Sequence, residues 1–214
     1  MRNLLKTCTN CVMDTSDSEI VFDSNGKCNY CTLMEQRISY YSSLDLEQIL
    51  KEKINQIKQD RKGRYDCIIG VSGGVDSTYV AYLVKQLGLN PLAVHLDNGW
   101  NSELAVQNIK NCLQQLKIEL YTFVLDWEEF KDLQVAFLKA STPDSEIPTD
   151  HAINALLYKV AAENNVKHII IGTNYATETI MPKSWSQGHF DWRYIRLIQQ
   201  KFGTVNLKNF PHLT

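Results

Sequence analysis

The sequence predicts an α/β protein: a parallel sheet with helices on both faces, preceded by a small four-cysteine module. Three observations predict it. Apolar runs of five or six residues alternate with longer segments of helical periodicity, the pattern of repeated βα units whose strands are buried on both faces. The first of these runs, Cys67-Ile68-Ile69-Gly70-Val71, leads through Ser72-Gly73-Gly74-Val75-Asp76-Ser77 into a helical pattern. Ahead of it stand two Cys-x-x-Cys pairs, separated by sixteen residues.

The bulk properties narrow the class. A chain of 214 residues with 44% hydrophobic and 21% charged residues is long enough for one good core and a small appendage. No apolar run approaches the ~20 residues that span a bilayer, and the start is too short in apolar residues for a secretory signal. The cytoplasm is the expected location, and no membrane is expected as partner. A net charge of -2 leaves no electrostatic footprint for a long nucleic acid, so none is expected either. Six cysteines in such a compartment point to metal or chemistry rather than disulfides.

Taken in order, Cys8-x-x-Cys11 and Cys28-x-x-Cys31 fall inside the spacing of about 15–20 residues for facing zinc knuckles. Two knuckles give four thiolates in a tetrahedron, closed to water and therefore structural. Zn²⁺ is the expected metal, with an iron–sulfur cluster as the alternative that four cysteines would also serve. Asp23-Ser24-Asn25-Gly26-Lys27 reads as a hairpin turn that delivers the second knuckle. From 44 to 62, Leu46, Ile49, Leu50, Ile54 and Ile57 recur at helical spacing, with Asp45 as N-cap and Gly63 as stop. The expected organisation is a zinc-knuckle module at 1–40, a connecting helix at 41–63 and a nucleotide domain at 64–214.

In that domain, strands are expected at 67–71, 91–96, 120–125 and 167–171, with helices at 102–116, 126–140 and 150–164. Ligands in such sheets bind beyond the carboxyl ends of the strands. The 72–77 turn sits at one such end. It offers the unpaired N–H groups and positive dipole of a helix start, which suit a phosphate chain. Gly73 and Gly74 allow close approach, Ser72 and Ser77 add hydroxyls, and Asp76 can hold Mg²⁺. The lysine of the Gly-x-x-x-x-Gly-Lys-[Ser/Thr] loop is missing.

Asp97-Asn98-Gly99-Trp100 follows the second strand, either as turn chemistry or as a nucleotide or substrate contact. Gly172 ends the fourth, and Glu178 shortly after it either caps a helix or supplies a carboxylate for Mg²⁺ or substrate. Pro148-Thr149-Asp150-His151 reads as a helix start, with Asp150 a candidate site carboxylate and His151 near the same end of the sheet. His95 lies within a strand and is read as a core histidine. Cys67 and Cys112 are read as buried, small apolar residues. Lys183, Arg193 and Arg196 are candidates to grip phosphates or are simply solvated charges.

The hexapeptide 72–77 resembles the pyrophosphate loop (PP-loop) of the ATP pyrophosphatases, which split ATP into AMP and pyrophosphate. Together with Cys8-Thr9-Asn10-Cys11-Val12-Met13, Cys28-Asn29-Tyr30-Cys31, the stretch from Val94 through Ser102, Phe130-Lys131-Asp132-Leu133-Gln134, Ile147 through Ala152, Asn174-Tyr175-Ala176-Thr177-Glu178 and Pro182-Lys183-Ser184-Trp185, it resembles the N-acetyl sugar amidotransferases over essentially the whole chain. Those proteins make acetamidino sugars for bacterial surface polysaccharides, such as O-antigens of lipopolysaccharide, and for flagellin glycans. Members continue beyond Thr214, so this chain resembles a version lacking the C-terminal part. The resemblance implies a Rossmann-like, adenine nucleotide alpha hydrolase-like fold.

It also implies a reaction with ATP and Mg²⁺ on an acetamido sugar or sugar nucleotide. Ser72, Gly73, Gly74, Val75, Asp76, Ser77, Asp97 and Gly172 would bind nucleotide, and Asp76, Asp150 and Glu178 would act in catalysis. Cys8, Cys11, Cys28 and Cys31 would hold Zn²⁺. The first cysteine is Cys8 and no Gly-x-Cys-x-Gly elbow is present, so ammonia is expected from a separate glutaminase, resembling the imidazole glycerol phosphate synthase pair. Two other readings compete. A tRNA-thiolating pyrophosphatase predicts a basic face and a reactive cysteine pair, and a non-catalytic scaffold predicts nucleotide binding without turnover.

Overall fold

The computed structural model describes residues 5–178, 180–186 and 188–213. Contacts divide the chain into two compact units: Met1–Lys51 with Asn174–Gln187, and Glu52–Thr173 with Gly188–Thr214. The expected boundaries after residues 40 and 63 do not coincide with that division, which cuts through a helix and assigns Asn174–Gln187 to the cysteine unit. Two side-chain contacts within the first unit tie that segment to the rest of it. Ser184 donates its hydroxyl to buried Asp17 at 2.9 Å, and the Tyr175 ring meets the Tyr41 edge at 4.9 Å.

In the first unit, the turn at 23–27 closes as expected. Asp23 accepts the N–H groups of Asn25 and Lys27, Gly26 takes the left-handed conformation with φ +80°, and Phe22 bridges Cys28 in antiparallel sense. The helix α1, Asn29–Ser42, then carries the last cysteine. Its apolar periodicity is weak and only Cys31 is buried along it, so local pattern does not announce it. The helix α2, Leu46–Asp60, starts at Asp45, which accepts the Gln48 N–H at 3.0 Å.

The second unit is built on four parallel strands, β1 (Cys67–Gly70), β2 (Pro91–Asp97), β3 (Glu119–Val124) and β4 (Ile169–Ile170), in the order β3-β2-β1-β4. The strands alternate between two cores. Ile68, Leu92, Val94 and Leu96 join Phe130, Leu133, Phe137, Leu156 and Ile195 on one face, from α5 (Trp127–Lys139), α6 (Ile147–Glu163) and α8 (Trp192–Phe202). Cys67, Ile69, Val71 and Ala93 join Ile54, Ile57, Ala81, Val84 and Leu113 on the other, from α2, α3 (Val75–Gln86) and α4 (Glu103–Leu116). The period of two along each strand sends neighbours to opposite faces. For β1 and β2 this is the doubly covered parallel sheet that the apolar runs predict. The edge strands are less enclosed, with no buried residue in β3 and two half-buried ones in β4, because an edge strand has a sheet neighbour on one side only. A four-residue helix, α7 (Tyr175–Glu178), belongs to the first unit. Among the described residues no helix is long and apolar enough to cross a membrane.

Two carboxylates on α5 fasten the segment that follows α8. Glu129, buried, accepts the N–H groups of Lys208 and Asn209. Asp132 accepts Thr204 and Val205 N–H, the Thr204 hydroxyl and the Gln199 amide. Burial alone would raise the Asp132 pKa, but these donors outweigh it and hold the group at about 2. Because this folded pKa lies below the unfolded carboxylate value, the contribution is present above about pH 4 and fades as pH falls through about 2. Asp132→Asn is therefore expected to lower thermal stability at neutral pH and to narrow its gap to wild type between about pH 4 and pH 2. Calorimetric melts across that range check it.

Candidate functional site

The sheet order reverses at β1: β2 and β3 lie to one side and β4 to the other. A crevice opens beyond the carboxyl ends of adjacent strands at such a switch point. The 72–77 turn leaves β1 there and Gly172 leaves β4. The two backbones touch so closely that a Cβ on Gly172 would lie 2.9 Å from the Asp76 carbonyl carbon and 3.1 Å from the Ser77 nitrogen. Gly73 has φ +79°, and a Cβ on it would sit 2.3 Å from the Ala105 carbonyl oxygen. Both glycines are thus required by close backbone approach, one of them also by its conformation.

The turn is held by its own hydroxyls. Ser77 accepts the Ser72 N–H at 3.2 Å and donates to the Gly74 carbonyl at 3.2 Å, and Thr78 donates to the same carbonyl at 2.7 Å. From α4, Asn108 donates to the Gly73 carbonyl at 3.2 Å. The N-cap of α3 is Gly74, and no side chain caps that helix start. By contrast α4 is capped by Ser102 and α5 by Asp126. The first N–H groups of α3 are therefore not taken by a side-chain cap and stand at the positive helix end, an arrangement that suits an anion. Asp76 is exposed in that first turn.

A cavity of about 310 Å³ adjoins the turn, lined by Val71, Ser72, Ser77, Val94, His95, Leu96, Asn98, Asn101, Thr149, Ile153, Leu157, Ile171 and Gly172, among others. His95 is buried, but it is more than core filling. Val71 O can only accept, so His95 Nδ1 carries the proton in their 2.9 Å bond and Nε2 is left as acceptor toward the Asn101 amide at 3.4 Å. Asn101 also donates to Asp97 at 3.0 Å, and Asp97 accepts the Gly99 N–H. Asp97 thus serves as the anchor of the turn after β2, while Asn98 and Asn101 line the cavity. Thr149 accepts from Gln134 at 3.3 Å.

Of the expected site residues, the fold brings Ser72, Gly73, Gly74, Val75, Asp76, Ser77 and Gly172 together, with Asp97 one strand away. Asp150 faces His189, whose two ring nitrogens lie 3.4 Å from Asp150 and 3.3 Å from Asp144. Burial raises its pKa, aided by Glu146 and Asp144 and opposed by His189. His151 is wholly buried, donating Nδ1–H to the His189 carbonyl at 2.7 Å and accepting the Leu213 N–H, and burial lowers its pKa. Glu178 lies in the first unit, where its carboxylate accepts the Asn174 N–H at 3.2 Å. The Lys183 side chain lies outside the described residues. His95, Asn101, Asn108 and Thr149 are additions that sequence reasoning missed. Asn101, just after β2, and Thr149, in the first turn of α6, could have been found from their position at element ends, whereas His95 within β2 and Asn108 within α4 carry no such signal.

In the first unit the four Sγ atoms of Cys8, Cys11, Cys28 and Cys31 all lie within 4.8 Å of one another. Cys8 and Cys31 are 3.9 Å apart, and Cys11 and Cys28 are 3.7 Å apart. With metal–sulfur bonds of about 2.3 Å, ligands of one tetrahedral ion stand about 3.8 Å apart. The donor set therefore fits a single ion and is too tight for a multi-iron cluster. Burial raises the Cys8 thiol, but N–H donors from Asn10, Cys28 and Cys11 outweigh it and bring it to about 6. Cys67, fully buried, is pushed up to about 12, and half-buried Cys112 is also raised. Cys112 is thus less enclosed than its helical pattern suggests.

A family model described as NAD synthase matches residues 44–182. An uncharacterized protein of Methanocaldococcus jannaschii is 30% identical over 129 residues, which is 58% of this chain and 45% of that one. A tRNA(Ile)-lysidine synthase of Chlamydia pneumoniae is 38% identical over 80 residues, 35% of this chain and 24% of its own length. A glutamine-hydrolyzing GMP synthase of Thermus thermophilus is 32% identical over 94 residues, 44% of this chain and 17% of its own. The chain thus spans less than half the length of these curated relatives.

Proposed function

The chain belongs to the NAD synthase family of PP-loop ATP pyrophosphatases, and from that footing we propose that it is an ATP-dependent amidotransferase converting a sugar acetamido group into an acetamidino group. The observation that carries the nucleotide half is the uncapped start of α3 at the β1–β4 switch point, framed by Gly73 and Gly172. With no lysine in the loop to reach a γ-phosphate, the site suits the pyrophosphate leaving group of α–β cleavage. The acceptor half is supported by the resemblance of the motifs around that loop.

An amide oxygen is a poor leaving group and must be activated. The acetamido oxygen attacks the α-phosphorus of ATP, the α–β bridging P–O bond breaks, and pyrophosphate leaves toward the α3 N-terminus. Ammonia then attacks the imidate carbon and loses a proton. AMP departs with the former amide oxygen, leaving an amidine. The N–H groups at the start of α3 stabilise the charge that develops on pyrophosphate. Asp76 would help hold Mg²⁺, which supplies further neutralisation of the phosphates when bound. His95 keeps the ends of β1 and β2 in register through Val71 and Asn101. Positioning and electrostatics suffice, and no nucleophilic side chain is needed.

The four clustered thiols would hold Zn²⁺ as a structural ion. Cys67 and Cys112 are raised by burial, so among the described residues no cysteine suits glutamine hydrolysis, and we assign ammonia supply to a separate glutaminase in the cytoplasm. The same two thiols argue against a thiolating tRNA enzyme, which needs a reactive pair. Pyrophosphate release by the full chain, with ATP, Mg²⁺, ammonium and a UDP-N-acetyl sugar, tests the proposal. Release that depends on sugar and ammonium supports it. Release that depends on tRNA, or nucleotide binding without turnover, refutes it in favour of a tRNA enzyme or a scaffold.

A further inference from the structure

Two tryptophans stand at the carboxyl ends of β2 and β3, and neither lines the cavity beside the 72–77 turn. Trp100 lies in the turn after β2, and Trp127 opens α5 after β3. They remain 54% and 45% exposed, costly for the side chain with the largest apolar body. Neither is loose. Fully buried Phe130 lies 5.3 Å from the Trp100 ring and 6.5 Å from the Trp127 ring, centroid to centroid. Gly99 has φ +80°, and a Cβ there would lie 3.3 Å from the Trp127 ring, so the turn rests directly on that indole. The two indoles meet at 74° with centroids 6.5 Å apart, an edge-to-face corner that stays about half exposed. The turn that carries Trp100 also carries Asn98 and Asn101, both lining the cavity beside the pyrophosphate loop.

We propose that Trp100 and Trp127 form the platform for the pyranose ring of the acceptor, an assignment that rests on the acetamido sugar reading above. A pyranose has one face of axial C–H groups, made slightly positive by the neighbouring C–O bonds. That face matches the negative face of an indole. Its equatorial hydroxyl and acetamido groups stay free for amide partners such as Asn98 and Asn101. A flat base would be gripped best between parallel rings, and a corner at 74° offers no such slot. Asp97 stands three residues before Trp100, and Asp126 and Glu128 flank Trp127 along the chain, a local acidic charge that disfavours the backbone of an RNA strand.

Saturation-transfer NMR on the full chain tests this, with methyl N-acetylglucosaminide as probe and W100A, W127A, W127F and W185A as variants. Trp185 is also exposed but belongs to the first unit, so W185A is the control. The expected result is transfer to ring C–H protons in wild type, W185A and W127F, weakened about tenfold in W100A and W127A, with ATP affinity unchanged. Equal transfer in all variants overturns the platform, and sugar-dependent pyrophosphate release in the same samples then keeps the acceptor reading. Transfer lost in W100A and W127A without any sugar-dependent release from wild type keeps the platform and overturns the acceptor reading. Absence of transfer in wild type, or displacement only by an oligoribonucleotide, overturns the platform.

Discussion

Replacing Gly73 with alanine is expected to lower ATP-dependent pyrophosphate release by on the order of 100-fold, with little effect from the same change one residue later. At Gly73 the backbone is left-handed, φ +79°, and the added methyl would stand 2.3 Å from the Ala105 carbonyl oxygen and 2.9 Å from its carbonyl carbon. Those are backbone atoms at the start of α4, not the tip of a flexible side chain. The loop or the helix must shift, and a misplacement of about 1 Å in a positioning site costs roughly 100-fold. Gly74 has φ -78°, and a Cβ there meets only the Ser72 hydroxyl at 3.5 Å. Gly74→Ala is therefore expected to stay within about tenfold of wild type. Steady-state kinetics with ATP as the varied substrate distinguish the two. Equal losses at both positions would show that close approach to α4 is not what Gly73 provides.

Stripping the metal should have the second large effect. The hydrophobic cluster of the cysteine module contains little besides Cys8, Cys11, Cys28 and Cys31, with Met13, Ile20, Phe22 and Tyr30. That is too little apolar area to hold such a module unaided. A structural zinc ion contributes about 10–16 kcal/mol in small modules, so its loss exceeds the stability of most domains. Chelation is expected to remove hydrogen-exchange protection across residues 5–31, and also across 180–186, because Ser184 is tied to Asp17 and Asp17 to the Tyr30 hydroxyl at 2.6 Å. The amides of β1 and β2 should keep theirs. Metal analysis should return one zinc per chain, and protection that survives complete chelation would show that the module holds without its ion.

Local chemistry made much of this protein legible. Apolar strands, the glycine turn and the Asp45 cap each need only neighbours within a few residues, and they appear where expected, although β4 is shorter than its apolar run. Each Cys-x-x-Cys pair is equally local, and the two pairs do meet. The helices α1 and α8 escaped for opposite reasons. The first has almost no buried stripe, whereas the second carries a regular amphipathic period that was there to be read and packs on α5 and α6. The role of Asp132 was equally hidden, because its partners lie about seventy residues further on.

By itself, then, the sequence determined the strands, the phosphate turn and the thiol set, because each is written in spacing and conformational preference. Only the tertiary structure decided which side chains share the crevice. It placed β1 between β2 and β4, turned His95 from core filling into a link between Val71 and Asn101, and aimed Asp150 at His189. It also left Trp100 and Trp127 in the open at the ends of β2 and β3. Sheet order and helix docking arise from long-range burial, and no local pattern encodes which strand ends will be neighbours.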